Sequence, residues 1–194
     1  MASHETKEQV LRESDNRLNP SLRNPNWLVL RRRRQIFQDG LSRLPEGNLS
    51  VLDVGGRLQP YRPLLGSCVK QYVALDPRVT PLVSVAGSVD ALPFRDEEFD
   101  FVICTQVFEY LRDPYLAASE IRRVLRKGGC AFLSAPAVFM REGTPEYWRF
   151  LPDGLRCVLR DFERVEVIPE GNSFSSLCRT LNVVCVSQIG RAHV

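Results

Sequence analysis

The feature that most constrains this chain is a series of short apolar runs, most of them running into an acid, a glycine or a small polar residue. Ser50 to Val54 leads into Gly55-Gly56, and Tyr72 to Leu75 leads into Asp76-Pro77. Leu82 to Ala86, a weaker run, leads into Gly87-Ser88, and Phe99 to Cys104 into Thr105. Cys130 to Ser134 is a fifth run. Short runs that are apolar throughout read as strands buried on both faces, as in a parallel sheet. Between the last two runs, Pro114 to Arg126 carries Leu116, Ala117, Ile121, Val124 and Leu125 at helical spacing. It closes on Arg126-Lys127-Gly128-Gly129, the cations and then glycines expected at a helix C-terminus. Leu155 to Phe162 is predicted as a further helix and Arg164 to Ile168 as a sixth strand. Strands alternating with helices give the expected fold class: α/β, a Rossmann-like, mostly parallel sheet with helices on both faces.

The 194 residues suit one domain. Residues 1–25 are polar, broken by Pro20 and Pro25, and read as an arm or short helix rather than core. The domain is expected over residues 26–188, opening with a helix from Asn26 to Leu44. Arg31 to Arg34 interrupt that helix, and the run reads as its solvated face, with an anion or membrane-surface contact as the alternative. Ile189 to Val194 follow no structural logic and match the in-frame translation of a common sequencing adapter. They are expected to be a non-native tail, so the natural C-terminus is truncated and the last strand of the sheet is lost with it.

A net charge of +3 is too small and too scattered for a nucleic-acid surface. No stretch approaches the roughly 18 apolar residues that a membrane span needs. The six cysteines include no CxxC pair, and the two histidines, His4 and His193, lie near opposite ends. They read as reduced thiols of a cytoplasmic protein rather than as zinc ligands. The oligomeric state is not legible.

In a parallel α/β sheet, ligands bind beyond the carboxyl ends of the strands. Gly55 and Gly56 let the backbone approach a ligand closely, and Asp53 can help hold the ammonium of a zwitterion. Asp76 ends the second strand, about 20 residues past the glycine turn, where an acid accepts both hydroxyls of a ribose. Gly87 to Phe94 then offers polar groups to an adenine edge.

The segments VLDVGG, VALDP, VDALPF, EEFDFVICTQVFEYL and EIRRVLRKGGCAFLSAP resemble, in order, the motifs of class I S-adenosylmethionine-dependent methyltransferases. They are most similar to the broad small-molecule group with the LPF signature, over roughly Leu49 to Pro136. Glu146-Tyr147-Trp148-Arg149-Phe150 is similar to an element of a subgroup associated with surface-polysaccharide biosynthesis. The resemblance implies S-adenosylmethionine as cofactor. Asp53, Gly55 and Gly56 would line its methionine part and Asp76 its ribose. Ser88, Val89 and Asp90 would flank adenine, and Thr105 would lie under the cofactor. It also implies methyl transfer to a small-molecule acceptor, such as a sugar or polysaccharide precursor. Without a core histidine, the general base would be a carboxylate or a tyrosine. Glu109 and Tyr147 are the catalytic candidates, with Tyr110 also placed for the role.

Three positions depart from the family pattern. Arg57 stands where a third glycine is usual, Ser88 where an acid is expected, and Glu109-Tyr110 where a Glu-His pair is common. They motivate a rival reading, a non-catalytic methyltransferase-like binding or scaffold protein. A nicotinamide oxidoreductase is disfavoured because Gly55-Gly56-Arg57-Leu58 lacks the G-x-G-x-x-G spacing. An amino-methyltransferase of nucleic acids is disfavoured because Cys104-Thr105-Gln106-Val107 replaces its Asp/Asn-Pro-Pro-aromatic element.

Overall fold

The computed structural model describes residues 5–44, 47–138, 145–171 and 177. Five strands form one parallel sheet: β1 (Leu49–Val54), β2 (Val69–Asp76), β3 (Val85–Ala86), β4 (Phe99–Thr105) and β5 (Leu125–Ser134). Their spatial order is β3-β2-β1-β4-β5, and every pairing is parallel. The chain leaves β1 toward one edge through β2 and β3, then crosses back to lay β4 on its other side. The crevice at that switch point, beyond the carboxyl ends of β1 and β4, is the ligand position of doubly wound sheets.

Alternation along the strands sorts the core into two layers. On one face, Leu52, Val54, Leu75, Val102 and Cys104 pack against Ala117, Ala118, Ile121 and Val124 of α3 (Pro114–Val124) and Val158 of α4 (Pro152–Val158). On the other, Val51, Phe101, Ile103 and Phe132 pack against Leu18 of α1 (Lys7–Leu18) and Phe37 of α2 (Trp27–Leu41). Phe37 stacks on Tyr61 at 4.7 Å and meets Phe132 edge-on at 4.9 Å. The Rossmann-like sheet covered on both faces is thus present.

Several local features differ from the sequence reading. The segment read as an arm or short helix rather than core holds the helix α1, nucleated by a capping box in which Thr6 and Gln9 each satisfy the other's backbone N–H. Val10, Ser14 and Leu18, one stripe at i, i+4 and i+8, are buried, and Leu18 belongs to the core. The arm therefore joins the α2 face, which its polar composition hides. The arginine run is not one solvated face either. Arg31 and Arg32 are exposed, but Arg33 points inward and is 5% exposed.

The weak third strand shrinks to Val85–Ala86. The helix expected to end at Arg126 ends at Val124, because Leu125 must turn extended to pair with Phe99. The register then jumps to Phe101 and Cys130, so Arg126 to Gly129 form a bulge inside β5. Arg126 is spent on the Glu97 carbonyl and the Asp100 carboxylate. Gly129 has no room for a side chain there, since a Cβ would lie 2.9 Å from the Arg126 carbonyl oxygen and 3.0 Å from that of Asp100.

The expected sixth strand, Arg164 to Ile168, pairs with no strand among the described residues. Side chains tie it and the residues after it elsewhere, Glu166 to Arg43 just past α2 and Glu170 to Arg33 of α2. The tail Ile189 to Val194 lies outside the described residues.

Candidate active site

The site is built on the carboxyl ends of β1, β2 and β4, which the register aligns: Val54 lies opposite Leu75 on one side and Cys104 on the other. Just past β1, the Gly55 and Gly56 N–H groups both donate to the Leu75 carbonyl, at 2.8 and 3.1 Å. This folds the turn tightly against β2. Gly55 has φ +75, and a Cβ on it would fall 2.5 Å from Val107 Cγ2. A Cβ on Gly56 would fall 2.7 Å from the Asp53 carbonyl oxygen. Both positions therefore require glycine, because the turn packs directly against Val107, Ala74 and the Asp53 backbone.

Asp53 and Asp76 are each 5% exposed. Asp53 lies on the same face of the sheet as Tyr72, whose hydroxyl donates to Asp53 Oδ2 at 2.6 Å. Burial pushes the Asp53 carboxyl up to about 7; the Tyr72 bond opposes that rise and the neighbouring Asp76 adds to it. Asp76 closes its own turn by accepting the Arg78 N–H on Oδ1 at 2.8 Å. In the next loop Ser88 and Asp90 are exposed, while the Val89 side chain is 2% exposed and belongs to the core. Any contact of Val89 with a ligand is therefore left to its backbone. Thr105, half-buried, ends β4 opposite Ser134.

Glu109 follows β4 in a 3-10 turn, Phe108–Tyr110. Its residue is 3% exposed, and Oε2 has no hydrogen-bond partner among the described residues. Desolvation pushes this carboxyl up to about 7, although Arg33 and Arg149 favour its charged form. Leaving a buried carboxylate oxygen unpartnered is costly. Glu109 and Asp53 are brought together around Cys104: both carboxyls, after burial itself, hold that thiol well above its ordinary value.

Tyr147 joins Glu109 through the backbone, its N–H donating to the Glu109 carbonyl at 2.7 Å, but its side chain is 48% exposed. Trp148 donates Nε1–H to the Leu111 carbonyl at 2.8 Å and stacks on Phe150, which packs against Phe108. Thus Phe150 anchors the 147–150 segment beside Glu109 while Tyr147 faces outward. The structure brings Asp53, Gly55, Gly56 and Glu109 to one end of the sheet, with Asp76 at the end of the neighbouring strand.

Sequence reasoning missed three residues. Tyr72 touches Asp53; its only signal was a phenol in a buried strand, which needs a partner for its hydroxyl. Arg33 reaches Glu170 with two parallel bonds beside Tyr61 and feels the Glu109 carboxyl. Arg57, at the departure from the glycine pattern, binds Glu5 at 2.8 and 3.0 Å and Glu13 at 3.2 Å, pinning α1 to the glycine turn. No spacing rule links Arg33 or Arg57 to those distant partners.

Residues 52–133 match the family model for a methyltransferase domain. An uncharacterized methyltransferase of Mycobacterium sp. (strain KMS) is 33% identical over 98 residues, covering 45% of this chain and 39% of that protein. The chain spans well under half the length of the curated relatives it matches. Among solved structures, a SAM-dependent methyltransferase from Aquifex aeolicus aligns over 77% of this chain and 86% of its own. The TM-score is 0.52 and the identity 19%. The [4+2]-cyclase SpnF aligns over 66% and 55%, with a TM-score of 0.51 and 20% identity. These two likenesses establish the fold, and the second is named for a different reaction, so the fold alone does not fix the chemistry. With the sheet order, the glycine turn and the family match in agreement, the chain resembles a class I S-adenosylmethionine-dependent methyltransferase.

Proposed function

We propose that this chain binds S-adenosylmethionine beyond β1 and β2 and transfers its methyl group to a small-molecule acceptor, a sugar or polysaccharide precursor, in the cytoplasm. The observation that carries the reading is the Gly55-Gly56 turn, which has no room for a side chain and sits at the switch point beside Asp53, with Asp76 ending the next strand. Asp53 would hold the ammonium of the methionine part, and the Gly55-Gly56 backbone would line that part of the cofactor. Asp76 accepts the ribose hydroxyls. Ser88, the Val89 backbone and Asp90 flank adenine, and Thr105 lies beneath. The four described cysteines are free thiols, in keeping with a reducing compartment. No helix among the described residues is long and apolar enough to cross a membrane.

When bound, the cofactor supplies a sulfonium-activated methyl group. Much of the rate then comes from holding the acceptor in line with it, worth up to about 7–11 kcal/mol in well-oriented systems. Glu109 Oε2, buried and without a partner among the described residues, is the candidate to take the proton of an acceptor hydroxyl. A carboxyl that titrates near 7 is matched to that task at neutral pH, where such a base contributes about 10²–10⁴-fold. Tyr147, exposed beside it, lines the approach for the face of a sugar.

The test is calorimetric titration with S-adenosylmethionine, followed by Asp76→Ala. Binding by the wild type, and at least tenfold weaker binding by a variant of near-normal thermal stability, support the reading. No binding by folded wild type overturns it. The rival, a non-catalytic binding protein, is favoured by Arg57, because its carboxylate partners commit the third-glycine position to holding α1. Binding without turnover across nucleotide sugars and small hydroxylated acceptors would select that rival.

A further inference from the structure

Asp53 and Tyr72 are partners in a geometry that the family likeness does not specify. The tyrosine stands opposite Val51, on β2, so its ring lies along the sheet and its hydroxyl reaches the Asp53 carboxylate. The ring is fixed from the other side. The Arg62 guanidinium sits over it at 4.9 Å, and Arg62 donates to Gln59 Oε1 at 3.0 Å. Gln59 is buried, and its side-chain amide donates to the Leu82 carbonyl. A continuous chain of contacts thus runs from the loop after the glycine turn, through Arg62 and Tyr72, to Asp53.

Asp53 has one described hydrogen bond, the one from Tyr72 to Oδ2. Oδ1 is the atom left for a ligand. A carboxylate with one oxygen anchored is fixed in rotation, which sets where its other oxygen points. Resting on the cofactor reading given above, we propose that Tyr72 is a positioning residue for the aminoacyl end of the cofactor: it orients the Asp53 carboxylate to receive an ammonium group.

Among the described residues, the titratable and charged groups around Asp53 are Tyr72 and Asp76 from β2 and Cys104 from β4, with Glu109 on the other side of Cys104 and Arg62 acting through the Tyr72 ring. Of these, Tyr72 alone donates a hydrogen bond to the Asp53 carboxylate. Its own proton stays in place, since burial and the adjacent Asp53 hold the phenol well above its ordinary value. Removing the hydroxyl leaves burial and Asp76 acting on Asp53 unopposed, so the Asp53 carboxyl moves further up.

The experiment compares wild type with Tyr72→Phe in calorimetric titrations from pH 6 to pH 9. S-adenosylhomocysteine and 5′-methylthioadenosine are the probes; the second lacks the amino-acid arm. The ratio of the two proteins' affinities cancels the probe's own titration. We expect Tyr72→Phe to bind S-adenosylhomocysteine about tenfold more weakly at pH 6, as loss of a hydrogen bond to a charged group implies. The deficit should shrink as pH rises to 9, and 5′-methylthioadenosine should bind both proteins alike. An equal loss for both probes, or a loss constant across pH, would mean a packing role and overturns the proposal. So does unchanged affinity for both. Failure of the wild type to bind either probe would instead remove the cofactor reading itself. With Asp53→Asn already in place, adding Tyr72→Phe should no longer produce a pH-dependent difference, and persistence of that difference also overturns the assignment.

Discussion

Glu109→Gln should make this protein more stable at alkaline pH and less able to turn over. In the folded chain the Glu109 carboxyl holds its proton up to about 7, against an ordinary value of 4.5, chiefly because burial disfavours the charge. Between those two values the folded state carries a proton that the unfolded state has released. Stability therefore falls as pH rises, at about 1.4 kcal/mol per pH unit. The whole penalty, on the order of 3 kcal/mol, is absent below 4.5 and complete above about 7. Glutamine cannot ionise and keeps the side-chain length. Urea denaturation of both proteins at pH 5 and pH 8 gives the test. Asp53 titrates in a similar range, so only the difference between variant and wild type isolates Glu109. The variant's advantage at pH 8 should exceed that at pH 5 by roughly 2–3 kcal/mol, with methyl transfer reduced at least a hundredfold if Glu109 is the base. A stability difference that does not change with pH would refute the burial argument. Full activity in Glu109→Gln would refute the catalytic role and leave the burial argument standing.

Gly56→Ala should destabilise the domain by about 1–3 kcal/mol and lower cofactor affinity, because its Cβ meets backbone at 2.7 Å that cannot rotate away; thermal melts and cofactor titration read the two effects. Arg57→Ala frees Glu5 and Glu13 from the glycine turn. Faster proteolytic cleavage within residues 5–18 is the expected outcome, with global stability lowered by about 1 kcal/mol, since the two carboxylate partners are solvent-exposed. Raised salt should produce the same cleavage in the wild type.

The strand ends were legible because chemistry and periodicity coincide there. An apolar run can be buried on both faces only inside a sheet, and the acid or glycine that stops it must sit at the sheet's rim. Asp53, Gly55, Gly56 and Asp76 were found in that way, and the order β3-β2-β1-β4-β5 brought their strand ends together. Local patterns failed where a tertiary partner outweighed them. Arg126 to Gly129 has the composition of a helix end, yet pairing of Leu125 with Phe99 turned it into a strand bulge. Arg164 to Ile168 has the alternation of a strand, but Glu166 pairs with Arg43 past α2, and Glu170, just beyond the segment, with Arg33 of α2.

The sequence by itself determined the fold class and the residues at the carboxyl ends of the strands, since both depend on spacing along the chain. Only the tertiary structure decided which polar groups face one another: Tyr72 on Asp53, Arg57 on α1, Arg33 on Glu170, and Glu109 with an oxygen unmet. Those pairings join residues far apart in sequence, where burial strips away water and makes each partner, or its absence, count.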